Sequence, residues 1–345
     1  MNPELVVFFV IVALALVFDF INGMHDAANA IATGISTRAL SPRYAVIMAA
    51  VLNFAGAFLS TAVAKTIGGD IADAHLLHSS TIAAALVAAI VWNLITWAKG
   101  IPSSSSHALI GGIIGAVVVT VGFSGLKVEG IRKILMALVL SPLVGFTMGF
   151  VIMVIMMWVF RKSAPGKLNR RFKVAQVFSA AFLATSHGSN DAQKSMGIIA
   201  MALVALHAHG VALPEWLPGM ATMKSQIPYW VICGCAIAMA IGTSSGGWRI
   251  IKTMGNKMIK LQPINGFAAE IASSVVILTA SHVGVPVSTT HCISGSIMGV
   301  GSSKRLSAVR WGVARQMLVA WVLTIPAAAL VGGCMVLALR FCGMP

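Results

Sequence analysis

Residues Gly23–Asn29 read Gly-Met-His-Asp-Ala-Ala-Asn, and a related stretch returns at Gly188–Lys194 as Gly-Ser-Asn-Asp-Ala-Gln-Lys. A second pair follows in the same order: Pro102–His107 reads Pro-Ser-Ser-Ser-Ser-His, and Pro286–His291 reads Pro-Val-Ser-Thr-Thr-His. Two motifs that each occur twice, in one order, indicate an internal duplication. Apolar segments flank all four stretches, so polar groups lie where a bilayer would penalise them. The pattern predicts a polar site between two membrane repeats.

The composition indicates a helical membrane protein with several spans. Of the 345 residues, 58% are hydrophobic and only 10% are charged, and the mean hydropathy is +0.91. Long apolar runs recur from end to end, which excludes a soluble domain with a single anchor. The five cysteines follow no disulfide or metal-binding spacing, and Cys233 and Cys235 are interpreted as helix residues.

The net charge of +15 would be typical of a nucleic-acid-binding protein, but the positions of the basic residues exclude that class. They cluster in short segments between apolar runs, at 38–43, 161–173, 249–260 and 304–315. Such clusters are what the positive-inside rule predicts for cytoplasmic loops. The predicted partner is therefore the lipid bilayer, with the basic loops inside and both termini outside. Lys127, Arg132 and Lys133 fall outside in this topology, which leaves open the alternative that each limb of the proline-broken hairpins is a full span.

The predicted fold is all-α, with two inverted repeats and roughly 10–12 membrane segments. Residues 1–160 form the first repeat, 161–173 a basic cytoplasmic linker, and 174–345 the second repeat. In the first repeat we expect a helix from Pro3 to Ile35 that is interrupted near Asn22, a return from Tyr44 to Lys65, an external segment from Gly68 to Ser80, and a last span at 131–160. In the second repeat we expect helices at 174–206, 229–246 and 311–339, with external residues 207–227 and a basic loop at 247–260.

Each repeat is also predicted to contain a re-entrant helical hairpin that is broken at a proline. The first hairpin runs through 82–99 and 103–121, with its break at Gly100-Ile101-Pro102. The second runs through 267–283 and 288–300, with its break at Gly284-Val285-Pro286. Such breaks free backbone groups that need partners, which makes the hairpin tips suitable for binding a ligand.

Three acidic residues in apolar surroundings point to bound cations. Asp26, Asp191 and Glu270 would together cost about 8–10 kcal/mol if they were charged and unpaired in the bilayer. Few cationic side chains lie near them in the sequence, so coupling cations or protons are the expected partners. Asn29, Asn190 and His25 accompany the two aspartates, and His25 leaves room for proton coupling. No firm metal site is predicted, although Asp26, Asn29, Asn190 and Asp191 would also suit sodium.

The serine and threonine clusters point to an anion. Each follows a Gly-x-Pro break and precedes a helix of small residues, so hydroxyl and N–H groups gather at a helix N-terminus, where oxyanions bind. Serines at such positions are more often ordinary N-caps, but duplication after two membrane breaks favours a tetrahedral anion. His107 and His291 are interpreted as anchors of the hairpins through hydrogen bonds, in preference to metal ligands. The candidate anion ligands are Ser104, Ser105, Ser106, Ser288, Thr289 and Thr290, with Gln193 and Lys194 nearby.

These residues resemble the PiT family of inorganic phosphate transporters, in its bacterial branch. The resemblance covers nearly the whole chain and also includes Trp92–Leu94, Gly247–Ile250 and Gly266–Glu270. It implies inverted repeats around a phosphate site, cations at the Asn/Asp motifs, phosphate at the hairpin tips and both termini outside. The chain departs from many relatives in the short linker at 161–173, and in having His25 where the second copy has Asn190.

The predicted function is uptake of inorganic phosphate, free or as a metal-phosphate complex, by cation symport with alternating access. Protons are favoured over sodium, and no cofactor or catalytic residue is expected. A sulfate permease of the same fold is the alternative, and an intramembrane hydrolase is a distant one that would need serine, histidine and carboxylate within hydrogen-bond reach. The location is the bacterial inner membrane. The sequence leaves open the coupling stoichiometry, a homodimer, and the roles of His75, His78, His207 and His209.

Overall fold

A computed structural model describes residues 3–343, except for the side chains of Pro3 and His75. Those residues form helices, turns and one isolated bridge between Ala72 and Leu126, and they contain no strand. The predicted all-α class is confirmed. Several apolar helices, together with the structural similarity reported below, make the chain a membrane protein with several spans.

The helices follow the same order in both halves of the described chain. The first half contains α1 (Pro3–Ser36), α2 (Pro42–Gly56), α3 (Ala62–Asp70), α4 (Ser79–Lys99), α5 (Ser105–Val121) and α6 (Val128–Val159). The second contains α7 (Pro165–Ala208), α8 (Tyr229–Ser245), α9 (Trp248–Lys252), α10 (Pro263–Val283), α11 (Thr289–Lys304) and α12 (Trp311–Phe341). The first motif lies inside α1 and α7, and the second lies at the start of α5 and α11. This order supports the predicted division into two repeats, which stays a prediction.

Five described helices are long and apolar enough to cross a membrane: α1, α4, α6, α10 and α12. A sixth candidate is the pair formed by α8 and Trp248–Lys257, which are bent by 60° from each other. The predicted 10–12 segments also counted α7 and the shorter hairpin limbs separately. Helix α7 is 44 residues long but carries the polar second copy of the first motif in its middle.

Both hairpins break at the predicted positions. Helix α4 ends at Lys99 and is followed by Gly100 at φ 65°, and α10 ends at Val283 and is followed by Gly284 at φ 77°. Only glycine adopts this left-handed conformation without strain, so both helices stop here. Ser104 and Ser288 then cap the returning helices: each side chain accepts the backbone N–H three residues on, at 3.2 Å. The tips therefore present two capped helix N-termini.

The two halves are interlocked through matching helix pairs. Helix α6 packs along α11 of the other half, and α12 packs in the same way along α5. Close contact is permitted by glycines: a Cβ atom added at Gly299 would lie 2.0 Å from the Phe146 carbonyl oxygen, and one at Gly115 would lie 1.9 Å from that of Ala329. Helices α1 and α8, and α7 and α2, form a second matching set. The interlocking brings the motifs of both halves to the centre.

One predicted break is wrong. Helix α1 continues without interruption from Pro3 to Ser36, although we expected it to be broken near Asn22 and Gly23. Gly23 serves close packing, because a Cβ atom there would lie 2.4 Å from the Met239 carbonyl oxygen of α8. Gly188 is in the same position relative to the carbonyl oxygen of Asn53 in α2, at 2.2 Å. The polar side chains of the motifs are satisfied by neighbouring helices, so the backbone does not need to open.

Three further boundaries differ from the prediction. The return from Tyr44 to Lys65 is split into α2 and α3 by a turn at residues 57–61. Most of the segment 161–173 is helical, because α7 begins at Pro165, whose fixed φ suits the first helical turn. The predicted loop 247–260 contains α9 and the π-helical turn Thr253–Lys257. In each case local packing extends or interrupts helices that the hydropathy pattern alone defines poorly.

The predicted basic loops meet at one end of the molecule, which we call the basic end (residues 36–41, 160–173, 249–262 and 304–311). Ser36 bonds to the Gly255 carbonyl oxygen at 2.5 Å, Thr37 to Gln176 Oε1 at 2.7 Å, and the Arg310 N–H to the Met258 carbonyl oxygen at 2.9 Å. At the opposite end, Lys127 Nζ donates to the Gly69 carbonyl oxygen at 2.7 Å. The grouping agrees with the loop-charge pattern.

Candidate functional site

Asp26 lies at the centre of a buried network on α1. Its Oδ1 is 2.8 Å from His25 Nδ1 and accepts the Thr290 hydroxyl at 3.3 Å, and its Oδ2 accepts the Ser105 hydroxyl at 3.2 Å. Ser105 begins α5 and Thr290 lies in the first turn of α11, so both hairpin tips reach this carboxylate. The first copy of the aspartate motif is therefore bound to the second motif of both halves.

Asp191 occupies the matching place on α7. Its Oδ2 is 3.0 Å from Lys194 Nζ and 3.4 Å from His187 Nε2, and it accepts the Asn22 amide at 3.3 Å and the Thr289 hydroxyl at 3.4 Å. All of these residues are buried. Asp191 Oδ1 has no hydrogen-bond partner within the described part of the chain. A free acceptor oxygen is thus available on the carboxylate of the second copy.

The two copies of the aspartate motif form one site. Ligand atoms of Asp26, His187 and Asp191 all lie within 4.8 Å of one another. Asn29 completes the contact, because its amide donates to Thr290 at 2.9 Å and to Thr289 at 3.2 Å. Carboxylate, amide and hydroxyl oxygens are hard ligands that suit small cations, and the same carboxylates can take up protons.

Lys194 provides one built-in positive charge at this site. Its side chain is 2% exposed, and its ammonium contacts Asp191 as described above. In the duplicated motif Lys194 stands at the position of Asn29. The two copies therefore differ in charge: Asp191 has an ammonium partner, whereas Asp26 has histidine, hydroxyls and a nearby amide. A buried ammonium is tolerated because it is paired.

The predicted phosphate ligands of the hairpins divide into two groups. Ser105, Thr289 and Thr290 donate to the aspartates, as described above. Ser104 and Ser288 are N-caps that accept a backbone N–H, and each keeps its own hydroxyl proton for another partner. Ser106 donates to the Val287 carbonyl oxygen at 3.3 Å, which links the first tip to the second. All six hydroxyl side chains are buried.

Gln193 does not join this group through any contact described in the structure. Its amide nitrogen donates to the Ser189 carbonyl oxygen at 2.5 Å, and its Oε1 accepts the backbone N–H of Ala64 at 3.1 Å. Ala64 lies in the first turn of α3, where backbone N–H groups have no partner within the helix. Gln193 thus ties α7 to the start of α3.

His25 and Asn190, which correspond to each other in the duplication, bind different helices. His25 Nε2 lies 3.1 Å from Thr96 Oγ1 of α4 and 3.3 Å from Ser103 Oγ, and Ser103 donates to Thr96 at 2.8 Å. Asn190 donates to Ser281 of α10 at 3.0 Å. Each motif is thereby held to the hairpin of its own half, and Asn190 turns its amide nitrogen away from the two aspartates.

Glu270 forms a separate cluster between α10, α1 and α7. Thr33 donates to its Oε1 at 2.6 Å, Gln176 donates to the same oxygen at 2.9 Å, and Ser179 donates to Oε2. All three partners face the buried carboxylate of α10, and Gln176 also bonds to Thr37 near the basic end. Glu270 is thus fully surrounded by donors, in a cluster that shares no described contact with Asp26 or Asp191.

The histidines outside the aspartate motifs, at the hairpin tips and at the end opposite the basic end, are held mainly by ring contacts. The rings of His107 and His291 lie 4.5 Å apart, and Trp321 of α12 stacks on His291 at 3.8 Å. These are ring contacts, and His107 Nδ1 and His291 Nε2 have no hydrogen-bond partner among the described residues, so anchoring of the hairpins by hydrogen bonds stays a prediction. His78 and His209 stack at 5.8 Å at the end opposite the basic end. The side chain of His75 lies outside the described residues.

Several residues of the site were not predicted from the sequence. Asn22 and His187 both contact Asp191, and they precede the two motifs at equivalent positions, which was an available signal. Thr96 and Ser103 contact His25, but the second copy has no hydroxyl side chain at either corresponding position, so duplication did not mark them. Their contacts join residues more than 70 positions apart, which no local pattern reveals.

Two interlocked helical hairpins whose tips meet paired carboxylates in the centre of a membrane protein define a transporter. The sequence matches the Phosphate transporter family over residues 22–332. It is 49% identical over 334 residues to a "Probable low-affinity inorganic phosphate transporter" of Bacillus subtilis (strain 168), covering 96% of this chain and 97% of that protein. A protein of the same description from Rhizobium meliloti (strain 1021) is 47% identical over 322 residues, 93% of each chain.

A solved structure described as "The sodium-dependent phosphate transporter" superposes with a TM-score of 0.87. It covers 97% of this chain and 99% of its own at 24% sequence identity, so it is evidence for the shared fold. The chain belongs to the Phosphate transporter family. It is a transporter and not an enzyme. This excludes the hydrolase alternative, although Ser103, His25 and Asp26 do lie within hydrogen-bond reach in that order.

Proposed function

We propose that this protein carries inorganic phosphate across the membrane together with one or more cations, by alternating access. The observation that carries the proposal is the meeting of both hairpin tips with Asp26 and Asp191 in one buried network. Movement of either hairpin must change the contacts of Asp26, and movement of the second hairpin also changes those of Asp191, so loading of the carboxylates and exposure of the tips are coupled. The relatives described as phosphate transporters support phosphate as the transported anion.

Phosphate is proposed to bind at the N-termini of α5 and α11. Ser105, Thr289 and Thr290 would turn their hydroxyl protons from the aspartates to phosphate oxygens, and the capping hydroxyls of Ser104 and Ser288 would add donors. Helix N-termini favour anions through their free N–H groups. Lys194 supplies the only lysine or arginine charge that ion-pairs with either aspartate among the described residues. Phosphate would thus replace carboxylate as the acceptor when the carboxylates take up cations.

Protons are proposed as the coupling ions at the first copy. The Thr96 hydroxyl has three acceptors in reach: His25 Nε2 at 3.1 Å and the carbonyl oxygens of Trp92 at 3.0 Å and Asn93 at 3.2 Å. With neutral His25, Thr96 donates to Nε2 and Nδ1–H donates to Asp26. With one more proton on Nε2, Thr96 turns to Trp92 and no hydrogen bond is lost. The His25–Asp26 pair can therefore gain or release a proton without rearrangement of the helices.

Lys194 argues against a sodium ion at the second copy. Its ammonium already neutralises Asp191, so a bound sodium ion would compete with a tethered cation for the same carboxylate. The sodium alternative uses oxygens of Asp26, Asn29, Asn190 and Asp191. The description of the solved relative as sodium-dependent belongs to that protein. Asn190 directs its amide nitrogen to Ser281, although its Oδ1 has no hydrogen-bond partner among the described residues.

In the membrane, we propose that the basic end faces the cytoplasm and that both termini lie outside, in a bacterial inner membrane. The grouping of the basic loops supports this orientation. Glu270, close to the basic end of α10, is proposed to carry a proton or respond to occupancy. A homodimer stays open.

Uptake of radiolabelled phosphate into proteoliposomes tests the proposal. A proton gradient and a sodium gradient are imposed separately, and unlabelled sulfate is added as a competitor. We expect accumulation with the proton gradient alone and little competition by sulfate. Accumulation only with sodium would contradict proton coupling, and equal competition by sulfate would contradict phosphate selectivity. Vesicles without protein give the background.

A further inference from the structure

A third carboxylate of the membrane interior has no role in the network described so far. Asp19 of α1 is 0% exposed, and neither of its oxygens has a hydrogen-bond partner within the described chain. Asp26 and Asp191 differ from it because each accepts hydrogen bonds from several residues. An ionised carboxylate that is buried with no ion-pair partner and at most weak hydrogen-bond donors beside it is strongly unfavourable in a membrane. Asp19 therefore needs a bound proton or cation.

The surroundings of Asp19 favour a proton over a metal cation. The side chains beside it are Ser195 of α7 and Cys235 of α8. The Ser195 hydroxyl proton is given to the Ala15 carbonyl oxygen at 3.1 Å, so only acceptor lone pairs of Ser195 remain for Asp19. A neutral carboxyl group can donate its proton to such a lone pair. Sodium would require several hard oxygen ligands, and a thiol on one side does not provide them.

The other charged groups near Asp19 are already paired. Lys194 and Asp191 of α7 are the charged residues that face it, and they contact each other at 3.0 Å. Cys235 is the titratable neighbour on α8. The lysine therefore has a closer acid, and Asp19 has no ammonium of its own.

Asp19 lies on the same face of α1 as the central site. It precedes Asp26 by seven residues, which is about two helical turns or roughly 10 Å along the axis. Asn22 lies between the two acids and contacts Asp191 at 3.3 Å. The position that corresponds to Asp19 in the second copy is Ala184. Asp19 is thus outside the duplicated motifs, on one side of the central site only, towards the end opposite the basic end.

We propose that Asp19 is a proton-binding site, separate from the duplicated aspartates, which takes up and releases a proton in each transport cycle. Its function rests on the proton coupling proposed above, whereas its proton occupancy does not. Asp19 lies two helical turns from Asp26, towards the end opposite the basic end. From there its carboxyl group gives protons to Asp26 and Asp191, and accepts protons from them, on that side of the transport pathway. The lack of a counterpart in α7 makes the pathway asymmetric.

The first test uses Asp19→Asn, which keeps the size of the side chain and removes the titratable group. We expect loss of phosphate accumulation driven by a proton gradient, together with unchanged phosphate binding by calorimetry and unchanged phosphate exchange in vesicles without a gradient. Asp70→Asn, at the exposed end of α3, is the matched control and should behave as the unaltered protein. Wild-type accumulation by Asp19→Asn would overturn the proposal, because a proton that never moves is not needed for coupling.

A second measurement separates this proposal from the general one. Infrared difference spectra recorded on addition of inorganic phosphate should show a change in the carbonyl band of a neutral carboxylic acid, and this change should be absent in Asp19→Asn. The band is measured without any gradient, so it remains decisive even if uptake proves to be driven by sodium. An identical difference spectrum in both proteins would overturn the assignment of a moving proton to Asp19. Loss of calorimetric binding in the variant would contradict the proposed separation from the central site.

Discussion

Asp26 and Asp191 are duplicated residues that have acquired different partners. Asp26 forms hydrogen-bond contacts with a histidine and two hydroxyls, and Asp191 is paired with the ammonium of Lys194. The difference comes from two substitutions within the motif, His25 against Asn190 and Asn29 against Lys194. One copy thus has an imidazole beside its acid, and the other has an ammonium group.

The hairpin hydroxyls give a prediction at this scale. Ser105→Ala and Thr289→Ala should each weaken phosphate binding, because each removes a donor from a buried site, where an unmet hydrogen bond costs about 1–3 kcal/mol, or roughly five- to a hundredfold in affinity. Calorimetry on the purified protein measures the change. Ser163→Ala, at an exposed turn, is the control. If both variants bind phosphate as tightly as the unaltered protein, the two hydroxyls only support helices and carboxylates.

The site could be predicted from the sequence only where duplication marked it. The aspartates and the hairpin hydroxyls were found because they recur, and all of them contact the central network, cap its helices or join the two tips. The predicted residues Gln193, Asn190 and Glu270 have no described contact with the two aspartates. Asp19 was missed because α7 has Ala184 in its place, so repetition gave no signal. The partners of Asp191 were missed for another reason: Asn22 reaches it across 169 residues of chain, and such contacts depend on helix packing.

Helix crossings determine how the hairpins are held. Helices α5 and α11 each cross the last helix of the other half at a glycine, with α12 against α5 and α6 against α11. Gly115 and Gly299 occupy equivalent positions at these crossings, and in both cases the neighbouring atom is a backbone carbonyl oxygen. A backbone atom cannot move away as a flexible side chain can. The hairpin tips are therefore positioned by contacts that leave no room for a methyl group.

A prediction for these crossings concerns stability. Gly115→Ala and Gly299→Ala should each destabilise the protein by about 1–3 kcal/mol through overpacking. Thermal unfolding in detergent, followed by circular dichroism, measures the effect. Gly312→Ala on α12 is the control, since no atom lies within 4 Å of an added Cβ there. Melting temperatures that match the control in both variants would show that the crossings can relax.

The elements themselves were predicted with uneven success, for physical reasons. The hairpin breaks were located because glycine at positive φ followed by proline ends a helix whatever its surroundings. The break near Gly23 was wrong because the same residue type also serves close helix packing, as it does against Met239. Glycine in a membrane helix can therefore either end the helix or permit close packing against another helix. Which role applies depends on whether a neighbouring backbone lies against the glycine.

The whole molecule has one basic end, and its orientation in the membrane is a consequence that can be measured. Ser163→Cys and Glu215→Cys, both exposed and at opposite ends, are made in a protein lacking the five native cysteines. An impermeant thiol reagent added outside intact cells should label the cysteine at 215, and the cysteine at 163 only after the membrane is opened. Labelling of both from one side would contradict the proposed topology.

Interlocking of the two halves also explains why a single site is expected for the whole chain. Each hairpin is held by the last helix of the other half, both tips bond to Asp26, and the second tip also bonds to Asp191. A change of charge at that pair is felt by both hairpins at once. The proposed coupling of cation and phosphate movement would use these shared contacts and would need no separate signal between distant sites.

The central claim is that Asp26 and Asp191 together form the coupling site, and one measurement tests it most directly. Asp26→Asn and Asp191→Asn are purified, shown to melt cooperatively, and reconstituted for phosphate uptake driven by a proton gradient. We predict that each variant loses gradient-driven accumulation, because an amide cannot take up the proton or cation that the carboxylate exchanges. Glu129→Gln, which alters an exposed carboxylate paired with Arg132, should accumulate phosphate normally. Normal accumulation by both aspartate variants would contradict the account.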